Sequence, residues 1–314
     1  MKAASWCEEI SVDLVRISLR YQGGFVNSYL VLGGDGPRLV DAGPPGEGGP
    51  LELEGRLTEL GVAVADLRQV LLTHGHHDHV GAAAEFAARS GAQVLLPRAE
   101  LTSGPAFVSS VPNRDWLLSH DYPAEAPPPP APDLPVPAEL TLLEGDETLE
   151  FGPLRLELIS TPGHSPGLVC ALDRERGLLF SSDHLLRTPT QVAIRGSGAG
   201  PDPLEVYLDS LGRLSQLAPG IVLPGHGRSI GGLDAILSRA RRAQLEWLEQ
   251  VDSAVGAGGV SDLEVANRLG WPAGGDPSRL WLAIARAGAY LEHLELAGRV
   301  IREPGPPVLW HRSV

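Results

Sequence analysis

Thr73-His74-Gly75-His76-His77-Asp78-His79 follows directly on the apolar run Leu67–Leu72. A short apolar run that ends in a turn reads as a buried strand, so the histidines sit where that strand gives way to a loop. Four histidines and an aspartate within six residues make a poor loop unless a cation binds there. His74 and His76 are two apart and project to the same side of an extended turn. Asp78 and His79 are adjacent and reach a neighbouring position, so the cluster offers ligands to two cations. Imidazoles with carboxylates suit Zn²⁺, with Fe or Mn as alternatives, whereas an all-oxygen set would point to Mg²⁺ or Ca²⁺.

Three other junctions share this design. Leu158-Ile159 runs into Thr161-Pro162-Gly163-His164, Gly177–Phe180 into Ser181-Ser182-Asp183-His184, and Ile221–Leu223 into Pro224-Gly225-His226-Gly227. Strand ends on one edge of a sheet are where α/β proteins usually build sites. Asp183 is suited to bridge two cations about 3.5–4 Å apart. The two cysteines, Cys7 and Cys170, lie in none of these loops, which excludes a thiolate-rich structural zinc site. His120, His293 and His311 stand alone and read as ordinary surface or core residues. His77 and His184 each adjoin a ligand and are the weak candidates for contacting substrate.

Outward from these loops, the first two-thirds of the chain alternates strands and helices. Ser11–Leu19, Phe25–Leu32, Arg38–Val40 and Gln93–Leu96 read as strands, and Leu51–Leu60 and Val80–Ser90 as helices. Residues 102–137 break this rhythm with a proline run at 127–130 that favours an extended, solvated loop, and an insertion of this length is expected to act as a lid or substrate wall, with Ala124–Pro137 partly covering the metal cleft. Strands resume at Leu140–Leu143, Thr148–Phe151, Leu154–Ile159, Gly167–Leu172, Gly177–Phe180 and Ile221–Leu223, with a helix at Pro203–Leu217. Two mixed sheets packed face to face with helices outside satisfy this order, an α/β fold in four layers, αββα. The catalytic domain is expected at residues 1–230.

From residue 231 to 314 the pattern turns helical: Leu233–Val255, Asp262–Leu269 behind a Ser261/Glu264 capping box, and Pro277–Ala297 closed by Gly298. Val300–Ile301 and Val308–Trp310 complete a hairpin, so this second domain is expected to be small and winged-helix-like.

Composition narrows the function. The chain has 314 residues, 43% of them apolar, and a formal net charge of −14. From Ala235 onward nine arginines balance nine acidic residues, so the whole −14 lies upstream, where bound cations would offset part of it. That balance argues against a large basic surface for nucleic acid. No membrane span or export signal is readable, which leads to the expectation of a cytoplasmic protein.

The cluster at 73–79 resembles the HxHxDH signature of the metallo-β-lactamase-fold hydrolases. Pro162-Gly163-His164, Ser182-Asp183 and Pro224-Gly225-His226 resemble that family's remaining metal motifs, in order, across about Ile10 to Ile230. The resemblance implies that His74, His76 and His164 hold a first metal, that Asp78, His79 and His226 hold a second, and that Asp183 bridges them. Ser182 stands where the family usually has Gly. Val26-Asn27-Ser28-Tyr29-Leu30 and Val40-Asp41-Ala42-Gly43 also look like the family's early strands. Residues 231–314 and Pro112–Leu118 look like the lactamase-beta-like group, some of whose members are endoribonucleases.

A hydrolase follows as the expected activity, with a hydroxide shared by two cations attacking an ester, thioester or similar acyl bond. Asp78 is expected to orient or accept the water's proton. RNA phosphodiester cleavage is the alternative, and a mononuclear-iron persulfide dioxygenase the less favoured one. The expected partner is a small-molecule substrate, with RNA second.

Overall fold

The computed structural model describes residues 6–22, 24–46, 48–101, 112–126, 134–193, 201–256, 258–271 and 279–313. The first half contains β1 (Cys7–Ser11), β2 (Leu14–Tyr21), β3 (Gly24–Val31), β4 (Arg38–Val40), α1 (Gly49–Glu59), β5 (Gln69–Leu71), α2 (His77–Val80), α3 (Ala83–Ser90) and β6 (Gln93–Pro97). It is followed by α4 (Arg114–Ser119), β7 (Leu140–Leu143), β8 (Thr148–Phe151), β9 (Leu154–Ser160), β10 (Val169–Asp173) and β11 (Leu178–Ser182). The remainder is α5 (Pro203–Leu214), β12 (Ile221–Pro224), α6 (Leu233–Ala254), α7 (Asp262–Arg268), α8 (Leu280–Leu296), β13 (Val300–Glu303) and β14 (Leu309–Arg312).

One sheet runs β1 to β7 in sequence order and the other runs β12-β11-β10-β9-β8. Strands β4 to β7 are parallel, and so is the β11/β12 pair; the remaining neighbours in both sheets are antiparallel. The parallel strands are apolar on both faces, as a sheet covered on both sides requires. Leu71 and Leu95 face the second sheet and meet Leu156, Ala171, Phe180 and Leu223. Their neighbours Val70 and Val94 point the other way, onto Leu53 and Leu57 of α1 and Phe86 of α3. The far face of the second sheet packs on helices, with Cys170, Leu172 and Val222 clustering with Leu211 of α5, Ile236 of α6 and Leu291 of α8. The four expected layers are therefore present.

The same apolar cluster continues without interruption past residue 231 and takes in Tyr290, Val300 and Trp310. The three helices and the hairpin of residues 231–314 thus share the apolar core that covers the outer face of the second sheet. Each fully buried leucine there stabilises the packing by about 1.5–3 kcal/mol.

Three expectations are corrected. Ser11–Leu19 is not one strand: the chain turns at Val12-Asp13, where the Ser11 hydroxyl donates to Asp13 Oδ1 at 2.7 Å, and β1 pairs back on β2. Val80–Ser90 is not one helix, because Gly81 interrupts it. A Cβ on Gly81 would collide with the Pro44 backbone, and Gly81 N–H donates to the Gly43 carbonyl at 2.8 Å, docking the break on the loop after β4. The 102–137 insertion, read without a helix of its own, contains α4, capped by Asn113 accepting from Trp116 N–H at 2.8 Å. Leu117 of α4 and Tyr122 pack on Trp281 and Ile284 of α8. The proline run at 127–130 lies outside the described residues.

Candidate metal centre

All four strand-end loops meet at one edge of the sandwich. The side chains of His74, His76 and His164 form one group whose ligand atoms lie within 4.8 Å of each other, and Asp78, His79 and His226 form a second. Asp183 lies between the two groups: its Oδ2 is 3.6 Å from His164 Nε2 and 3.2 Å from His226 Nε2, and its Oδ1 is 3.5 Å from His79 Nε2. The seven residues singled out in the sequence are thus brought together.

Four of the five imidazoles are held from behind. His164 donates Nδ1–H to the Gln191 carbonyl at 2.8 Å, and His226 donates to the Phe25 carbonyl at 2.7 Å. His79 Nδ1 meets Asp41 Oδ2 at 2.8 Å, and His74 Nδ1 lies near the Thr73 and Ser182 hydroxyls at 3.2 and 3.3 Å. A carbonyl can only accept, so these contacts place a proton of His164 and His226 on Nδ1 and turn Nε2 towards the cluster. That is the arrangement by which outer groups orient metal-binding histidines.

The inward atoms are the test of fit. Nε2 of His74, His79 and His164 and Oδ1 of Asp183 are buried and have no hydrogen-bond partner among the described residues. Unpartnered buried polar atoms are costly, and four converging on one point match the needs of divalent cations. Close backbone approach completes the geometry: a Cβ on Gly225 would collide with Asp183 Oδ1 and crowd His79. Ser182 adopts φ of +48°, the left-handed region that glycine occupies most easily. Its hydroxyl meets that of Thr73 at 2.7 Å, so here a serine holds a glycine-type turn.

The charge distribution follows from packing. Burial pushes His74, His76 and His164 below the usual histidine range, with neighbouring imidazoles adding to the effect. Burial opposes protonation of His226 too, yet the Asp183 carboxylate overrides it and pushes the group up to about 10. His79 moves up in the same way, against burial, under Asp183, Asp41 and Asp78. For Asp78, burial is outweighed by His79 and His226, which hold the carboxyl well below its ordinary range.

The structure separates the two weak substrate candidates. His77 lines the cleft beside the hydroxyl of Tyr21. His184 is fully buried, tilted against Tyr207 with ring centroids 4.6 Å apart, and burial pushes it down to about 3.

Several supporting residues escaped the sequence reading. Asp41 accepts from Thr73 N–H at 2.8 Å as well as from His79; its motif was visible, its role was not. Glu100 accepts from Gly75 N–H and the Ser165 hydroxyl, both at 2.7 Å, and ties the His74–His79 loop to the His164 loop. Nothing local marks Glu100, since its partners lie 25 and 65 residues away.

The likenesses to known proteins agree with this geometry. Over 90% of this chain and 92% of its own length, the "Probable metallo-hydrolase YqjP" of Bacillus subtilis is 26% identical. The "Thioesterase pkgB" of Emericella nidulans is 28% identical over 71% of this chain and 51% of its own length. A crystal structure of a metallo-beta-lactamase family protein from Thermus thermophilus superposes with a TM-score of 0.80 at 26% identity, covering 96% of this chain and 99% of that one. Residues 21–226, a span that contains all seven side chains gathered at this sheet edge, match the sequence model of the metallo-beta-lactamase superfamily, and the chain is a hydrolase of that superfamily.

Proposed function

We propose that the chain hydrolyses an ester, thioester or similar acyl bond at a site for two divalent cations, zinc first among them. The observation that carries this reading is the pair of three-residue groups sharing Asp183, with the unpartnered Nε2 atoms turned inward. A relative named as a thioesterase supports the acyl class.

His74, His76 and His164 would hold one cation, Asp78, His79 and His226 the other, and Asp183 would reach both. Bound cations supply a lowered pKa for water and a counter-charge for the oxygen that becomes negative. The protein's part is to fix geometry and to take the proton. Asp78 lines the cleft with its Oδ2 3.4 Å from His226 Nε2, where its carboxylate would orient the attacking water or accept its proton. The water oxygen joins the acyl carbon, the bond to sulfur or oxygen of the leaving group breaks, and the released thiol or alcohol carries the proton.

The test is metal content of protein purified without added metal, together with turnover of thioester, ester, lactone and RNA substrates. About two cations per chain with acyl hydrolysis is the expected result. RNA cleavage alone would replace the substrate class, and one iron per chain with oxygen uptake would replace the reaction.

A further inference from the structure

A cavity of about 280 Å³ opens onto the candidate metal centre, with His76, Asp78, His164 and Asp183 on one side. Away from these ligands an apolar wall is built by Tyr21, Pro166, Val192 and three residues of α8, Trp281, Leu282 and Ala285, with Gln22, His77 and Gln191 also on the lining. Those α8 positions are spaced i, i+1, i+4 and so share one face of the helix. Trp281 and Ala285 are also among the buried residues of the helix, which makes this wall firm.

We infer that this face of α8 is the acyl pocket, and that the substrate carries an uncharged, apolar acyl group. The inference rests on the acyl-hydrolase reading above and adds the part of the substrate that is recognised.

The absence of charge follows from where the nearby cations are. No lysine or arginine lines the cavity among the described residues. Arg279, just before the wall, donates to the Gln22 carbonyl. Arg286 of α8 lies over the rings of Trp247 and Trp271, 4.6 and 5.2 Å from their centroids, and so points away from the cleft. A carboxylate or phosphate pressed against the α8 wall would therefore be desolvated with no lysine or arginine among the described lining residues to pair with it.

The experiment uses alkyl hydroxamic acids, which chelate divalent cations and carry an acyl chain of chosen length. Binding to the metal-loaded protein is measured by calorimetry from acetohydroxamate to hexanohydroxamate. Affinity is expected to rise about threefold to fourfold per methylene until the cavity is full. The hydroxamate of succinic acid is expected to bind more weakly than that of butyric acid. Leu282→Asp, at a half-buried position, should weaken the hexanoyl compound while leaving the acetyl compound unchanged. Ala285→Val, a smaller disturbance inside the wall, should shorten the chain at which affinity stops rising. Affinity independent of chain length, or equal loss for short and long chains in Leu282→Asp, overturns the inference. Turnover separates the two proposals: length-dependent binding with no acyl hydrolysis leaves the pocket and removes the acyl reaction. Acyl hydrolysis with length-independent binding does the reverse.

Discussion

Gln244 of α6 donates its side-chain amide to the Thr190 carbonyl at 2.9 Å, and the Thr190 hydroxyl lies 3.1 Å from Nδ1 of His164. Tyr290 of α8 donates to Gln244 Oε1 in turn. Residues 190–191, which orient His164 from behind, are thus fastened to the C-terminal helices, and both Gln244 and Tyr290 are buried. The candidate metal centre is therefore braced by a segment that adds none of the seven candidate ligands.

Gln244→Glu keeps the acceptor for Tyr290 but cannot donate to Thr190. Cation affinity on the His164 side should fall about 10–100-fold, the usual cost of losing an outer contact to a metal-binding histidine. Competition with a chromophoric chelator measures this. A lowered Tm with unchanged affinity would reduce Gln244 to a packing role.

Asp41→Asn bears on the other group. Asp41 accepts from Thr73 and His79 together, and an amide cannot serve both with the same two oxygens. Its loss should weaken the cation at Asp78, His79 and His226 by about 10–100-fold and leave the other group intact. Metal analysis after dialysis should then fall from two per chain towards one; a retained pair would show that His79 needs no such support.

Gly225 and Gly227, on either side of His226, serve as a matched comparison. A methyl on Gly225 collides with Asp183 and His79, so Gly225→Ala should abolish cation binding at both groups. Gly227 has φ of +82° with open space around it, so Gly227→Ala should cost about 1–2 kcal/mol of stability and keep its metal. Equal metal content in the two variants would contradict the close-approach argument.

Stability should depend on pH through Asp262, which is not among the candidate ligands. Burial, helped by the Glu292 carboxylate, pushes Asp262 up from 3.8 to about 8, against the Trp310 indole N–H that donates to it at 3.0 Å. A raised carboxyl binds its proton more tightly when folded. Its contribution is therefore fully present below about pH 4 and is lost as pH rises towards 8. Asp262→Asn keeps the indole contact and should flatten that slope in denaturation measured from pH 4 to 9, with the gain largest at the alkaline end. An unchanged slope would assign the dependence to other groups.

Much of this was legible beforehand. Arg38–Val40, Leu140–Leu143 and Thr148–Phe151 are strands as read, and the Ser261/Glu264 capping box is formed. The misread elements failed for local reasons that involve distant partners. Gly81 breaks a helix because Pro44 lies against it, and α4 forms because Trp281 and Ile284 cover Leu117. Helical periodicity carries neither fact.

By itself the sequence determined the four strand-end loops, the set of seven imidazole and carboxylate side chains, and the layered fold that brings such loops to one edge. These are short-range matters, because a strand pattern and the loop behind it fit within about ten residues. Only the tertiary structure decided which groups hold the imidazoles from behind and what closes the cleft. Asp41 reaches His79 across 38 residues, Gln244 reaches Thr190 across 54, and α8 faces His76 from the far end of the chain. Such pairings arise when packed layers exclude water and each buried polar group must find a partner, a condition that no local stretch of sequence can express.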